Sequence, residues 1–120
     1  MKVIIDLIED IRTSINNDKS FSLVAMGLEE NDNGEFTPLW ESNICAVKLD
    51  NEKKKLFLFL GKEEVVTIAK VLEDINDLEN EKMMYEVCVC YSKNNKRFDS
   101  SLLGFGEVLK DQKYLVFISE

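Results

Sequence analysis

The sequence predicts an α+β fold. Two α-β-β-β repeats are expected to form a six-stranded, mainly antiparallel sheet or half-barrel with two helices packed on it. Three observations carry this. Apolar residues recur at helical spacing in two places, each followed by three short apolar runs separated by turn formers. "IEDI" at 8–11 is echoed by "LEDI" at 72–75. The two halves also align in pattern, Ile4 on Ile68, Leu7 on Val71, Ile8 on Leu72 and Ile11 on Ile75, then Phe21 on Tyr85 and Leu23 on Val87. Later in each half "KLFLFL" (55–60) lies over "KYLVFI" (113–118). One domain is expected over 1–120, with pseudo-repeats 1–60 and 61–120.

The first helix is expected over residues 2–17. Ile4, Leu7, Ile8, Ile11 and Ile15 make its apolar stripe, with Asp6, Glu9, Asp10 and Arg12 between them. "NNDKS" stops it, and "FSLVAMGL" (21–28) reads as a strand. "EENDNGEFTPLWESN" (29–43) is rich in turn formers and reads as a loop. "ICAVKL" (44–49) and "LFLFL" (56–60) follow as strands around the polar "DNEKKK". The second helix is expected over 61–78, with Val65, Ile68, Leu72 and Ile75 on one stripe. "MYEVCVCY" (84–91), "LLGFGEVL" (102–109) and "YLVFIS" (114–119) are the last three strands. "LFLFL" and "YLVFI" are apolar at both parities, so both sheet faces should be covered. Two helices cover one face. Covering the other requires curvature or a second copy, and a homodimer is expected on that ground.

Composition narrows the function. The 120 residues carry 45% hydrophobic side chains, enough for a core without a metal or disulfide staple. A net charge of −8 repels phosphate backbones and disfavours direct nucleic-acid binding. The plainer role of that charge is solubility. "MKVIIDLIED" has no signal-peptide core, and no apolar run approaches membrane-spanning length. Three cysteines show no framework spacing, so a reducing cytoplasm is the expected location.

Chemistry-bearing motifs are few. Neighbouring acids such as Glu9–Asp10 and Glu73–Asp74 point about 100° apart on a helix and read as solvated faces. Cys88 and Cys90 share one face of a strand, but with only Cys45 besides they are a thin metal set, and they read as small buried hydrophobes. The chain has no histidine, so the usual general base and nucleophile pairings are missing. No catalytic residue, cofactor or metal is expected.

The halves differ most in one loop. The first-half loop carries five acids, Glu29, Glu30, Asp32, Glu35 and Glu41, around Phe36, Leu39 and Trp40. Its counterpart, "SKNNKRFDSS" (92–101), is shorter and carries Lys93, Lys96 and Arg97 against Asp99. Loops carry function because they bear little of the core. A tryptophan among charges is a favoured interface anchor, while the plainer alternative folds Phe36 and Trp40 back as a lid on the sheet. The acidic loop of one subunit meeting the basic loop of another is a third possibility.

In element order, size and acidity the chain resembles the small dimeric chaperones of type III secretion. It departs from them by ending in a strand where they end in a helix, so no residue is carried over.

The expected function is therefore a small acidic cytosolic protein-binding module, an adaptor, chaperone or inhibitor without catalytic activity. It would dock a basic or amphipathic partner segment, with Phe36, Leu39 and Trp40 as anchors and the five acids steering. Lys93, Lys96 and Arg97 form a secondary basic loop. An immunity protein or nucleic-acid mimic is a variant of this reading. The alternatives from other classes are a small-ligand sensor or enzyme with a cavity between sheet and helices, and a structural subunit of a larger assembly.

Overall fold

A computed structural model describes residues 1–62 and 64–119. Helix α1 spans Ile4–Ser14. It begins where Asp6 Oδ2 accepts the Val3 N–H at 2.9 Å, satisfying a donor that the first turn leaves unpaired. Its Ile4, Leu7 and Ile11 are fully buried. Strands β1 (Ser22–Glu30), β2 (Phe36–Asp50) and β3 (Lys55–Leu60) follow, then α2 (Ile68–Ile75). After a single 3₁₀ turn at Lys82–Met84 come β4 (Glu86–Lys93), β5 (Lys96–Val108) and β6 (Lys113–Ser119). Both helices are shorter than their periodicity suggests. Residues 64–67 are not helical, because the backbone of Val66 is engaged by strands instead. Its N–H reaches Ile44 O at 2.9 Å and its carbonyl takes Leu23 N–H at 2.8 Å.

The six strands close into a barrel in sequence order. The expected open sheet or half-barrel with two helices packed on it is thereby corrected. Closure follows from two parallel pairings, β1 with β6 and β3 with β4. Each unit's first strand joins the last strand of the other unit. The edges that an open six-stranded sheet would expose are consumed, which removes the cost of unpaired backbone groups. Closure supplies the sheet curvature that was one of the two expected ways of covering the second face.

Strand registers repeat between the halves. Val24↔Asn43 in β1–β2 corresponds to Cys88↔Ser101 in β4–β5, and Gly27↔Trp40 to Tyr91↔Phe98. Leu23↔Tyr114 corresponds to Val87↔Leu56. Even the bulge between Ile44 and Ala46 has a counterpart between Leu102 and Gly104. Isolated bridges Val3↔Glu86 and Ser22↔Thr67 tie the residue before each helix to the first strand of the other half.

The main core lies inside the barrel and under the helices. Leu23, Ala25, Leu56, Leu58, Val87, Val89, Tyr114, Val116 and Ile118 pack there with the helix stripes. A second, outer cluster joins Phe57, Cys88 and Cys90, with Phe59 against them. "LFLFL" is therefore buried on both faces because it serves two clusters. Among the described residues no helix is long and apolar enough to cross a membrane.

Candidate functional site: a gap in the barrel wall

The long strands β2 and β5 each change partner midway. Residues Val24–Glu30 of β1 pair with β2 up to Asn43, while Ile44–Asp50 of β2 pair with β3. β5 does the same at Ser101–Leu102, between β4 and β6. The outer portions project as two-stranded arms. The first arm turns at 31–35, where Asn31 Oδ1 accepts the N–H groups of Asn33 and Glu35, each at 2.9 Å, and Gly34 takes φ 79°. The second turns at Asn94–Asn95 with both φ positive, 54° and 63°, the two-residue hairpin geometry that follows strand twist.

The loops expected over 29–43 and 92–101 are thus mostly strand. Pro38 is tolerated inside β2 because only β1 pairs with it, on the far side of a bulge after Gly27.

Between the arms lies a cleft of about 640 Å³, lined by Trp40–Ser42, Phe59–Lys62, Cys90–Lys93 and Arg97. Consecutive residues line it on three strands. Successive side chains of a strand point to opposite faces, so a pocket on one face would be lined by alternate residues. Among the described residues this cleft is therefore a gap in the plane of the sheet. It opens where β3 ends. Among the described residues β3 pairs with β4 as far as Phe59↔Cys90, and just past its end the Gly61 N–H bonds Asn43 O of β2 at 3.1 Å. In the other half β6 runs on to Ser119 opposite Leu28.

Aromatic rings floor the gap. Trp40 lies 5.9 Å from Tyr91, and Tyr91 stacks 5.6 Å from Phe98 on the second arm. Trp40 is half-buried against the main core, and it sits over Gly27, where a Cβ would collide with the indole. Small size is what this glycine contributes.

The outer rim is polar and tightly paired. Cys90 donates to Asp99 Oδ1 at 2.8 Å, and Arg97 contacts both Asp99 at 3.1 Å and the Cys90 sulfur at 3.2 Å. The Arg97 guanidinium also lies over Phe57 and Phe59, at 5.2 and 5.7 Å. Burial, then the hydrogen bond to Asp99, pushes the Cys90 thiol up to about 11. Burial and Glu86 push Cys88 up to about 12. Both thiols are protonated near neutral pH and are poor nucleophiles.

The structure brings together Trp40 and Glu41 from the acidic segment and Lys93 and Arg97 from the basic one, with Lys62 beside them. Glu41 is spanned by Lys113 at 3.1 Å. Among the described residues the tryptophan expected among acids therefore shares its cleft with Lys62, Lys93 and Arg97 as well as Glu41. Phe36 and Leu39 stay on the outer part of the first arm, each 48% exposed. Glu29, Glu30, Asp32 and Glu35 are exposed near its tip, and Lys96 near the tip of the second arm; none of these seven lines the cleft.

No protein-family model, curated protein or solved structure matches the chain.

Sequence reasoning missed Tyr91, Phe59 and Lys62, which periodicity assigned to strands and a helix start. Gly27 was missed as well. The signal for it was small size opposite the chain's only tryptophan, legible only once β1 and β2 are in register.

Proposed function

We infer that the protein is a non-catalytic binding module that holds an amphipathic segment of a protein partner between its two arms. The carrying observation is the in-plane gap floored by Trp40 and Tyr91. A cleft of this volume, mostly apolar with a few polar groups, has the make-up of a binding site. Trp40 is the anchor, with Phe36 and Leu39 extending the apolar surface along the first arm. Lys62 at the rim suits an acidic side chain of the partner, and the acids at the first tip steer any basic flank. The high pKa of both buried thiols supports binding over nucleophilic catalysis. Three unpaired cysteines suit a reducing cytoplasm.

A photo-crosslinking residue placed at Ser42 tests this in native lysate. One partner should be captured, and Trp40→Ala should weaken its binding at least about thirtyfold. Leu109→Ala, at the other end of β5, should leave capture unchanged. Capture that ignores Trp40→Ala, or that is equal from a crosslinker at Lys48, would remove the cleft as the site.

A further inference from the structure

We propose that Asn33 is a site of spontaneous modification, converting through a cyclic imide to an aspartyl or isoaspartyl residue at a rate set by opening of the turn that Asn31 clasps. The conversion concerns the tip of the first arm and stands whether or not the cleft binds a partner.

The chemistry is an intramolecular acyl transfer. The Gly34 nitrogen attacks Cγ of Asn33, and a new N–C bond closes a five-membered ring. The Gly34 proton passes to solvent, and the side-chain nitrogen leaves as ammonia. Water then opens the imide at one of its two carbonyls. Addition at Cγ leaves aspartate. Addition at the main-chain carbonyl leaves isoaspartate, in which the chain runs through the former side chain. Nothing is oxidised or reduced, and water is the one co-reactant.

Of the chain's asparagines only Asn33 is followed by glycine. Every other successor carries a side chain that restricts the approach of its nitrogen. Asn33 and Gly34 are exposed at the arm tip. Among the described residues, a Cβ placed at Gly34 would meet only Glu30 Oε1, at 3.8 Å, so the reacting centre is uncrowded. The second arm supplies an internal comparison. Asn94 and Asn95 also stand at a tip with positive φ, but Asn95 and Lys96 follow them.

The turn opposes the reaction while it is closed. The Gly34 N–H, whose proton must leave, donates to Asn31 O at 3.1 Å. Asn31 Oδ1 holds the N–H groups of Asn33 and Glu35, each at 2.9 Å, and the Asn31 N–H bonds Glu35 O at 2.8 Å. Attack therefore waits for these bonds to open, which an exposed tip does at small cost in free energy. The product sets a new carboxylate among Glu29, Glu30, Asp32 and Glu35 and makes the net charge of −8 one unit more negative. The isoaspartyl link also adds a carbon to the main chain, which moves Glu35 out of register with Asn31. The arm thus gains charge and loosens its turn as the molecule ages.

The test incubates the intact protein at mildly alkaline pH over days, with digestion in acid and fragmentation mass spectrometry that separates aspartyl from isoaspartyl links. Asn33 should convert ahead of Asn94 and Asn95. Gly34→Ala should slow conversion at least about tenfold. Asn31→Ala, which removes two bonds of the turn, should speed it at least about threefold, with circular dichroism showing that the barrel persists. Conversion of Asn33 no faster than that of Asn94 and Asn95, or unchanged by Gly34→Ala, removes the site. A rate unchanged or lowered by Asn31→Ala removes the gate. Either result overturns the proposal. If Asn33 converts while the Ser42 crosslinker captures nothing, the modification stands and the binding reading falls. A captured, Trp40-dependent partner beside an inert Asn33 gives the reverse.

Discussion

Tyr114 of β6 donates a 2.6 Å hydrogen bond to Asp10 of α1, joining residues 104 positions apart. The tyrosine is fully buried in the main core, and this bond gives its hydroxyl a partner at the helix surface. Burial first, and then Asp10, hold its phenol well above the ordinary tyrosine range. Tyr114→Phe should cost about 1–2 kcal/mol, read as a lower urea midpoint at unchanged slope. The phenol's pKa is raised by folding, so its contribution is complete below the ordinary tyrosine pKa. It is lost as pH rises toward the folded value. The variant's stability deficit should therefore shrink only in strong alkali.

Gly27→Ala tests the floor of the cleft. The added methyl meets the indole of Trp40, so the ring must move or the arm must open. Tryptophan fluorescence should shift, and stability should fall by about 1–3 kcal/mol. The equivalent position, Tyr91, already carries a large side chain, so the two halves are not interchangeable here.

The buried thiols should be slow to alkylate. With Cys90 up at about 11 and Cys88 at about 12, the thiolate fraction of each at pH 8 is on the order of a hundredfold or more below that of a free cysteine. Mass spectrometry after iodoacetamide treatment of the folded protein should find both unmodified long after a denatured control has reacted fully.

Acid sensitivity should depend on Ser101. Its hydroxyl donates to Glu86 at 2.6 Å, and this is the largest reason the Glu86 carboxyl titrates below the usual glutamate range. A depressed pKa contributes stability above the unfolded value and loses it as pH falls through the folded one. Ser101→Ala should move the acid-unfolding midpoint upward, read by circular dichroism.

Much of the architecture was legible in the residues. Two amphipathic stripes and six apolar runs appear in the structure as two helices and six strands in that order. The barrel was not legible, because periodicity states which face a residue takes and is silent on which strand lies beside it. Leu56 and Phe57 already showed that β3 is buried on both sides. That the far side is a small outer cluster under Arg97 depends on β3 meeting β4 in parallel. Trp40 was legible as an anchor from its chemistry. Its surroundings were not, since Lys93 and Arg97 join its cleft only through the second arm. The turn-rich stretch 29–43 misled because five residues, 31–35, suffice for the turn, and the acids around them sit on strands.

Amide hydrogen exchange, measured residue by residue, tests the gap most directly. Gly27 and Leu28 on β1 are flanked by β2 and β6, while among the described residues Tyr91 and Ser92 on β4 are paired with β5 alone. Protection should reach across Gly27–Leu28, and on β4 one of the two equivalent amides should exchange freely. Equal protection of Tyr91–Ser92 and Gly27–Leu28 would mean that the β4 edge is already paired, and the gap would not exist.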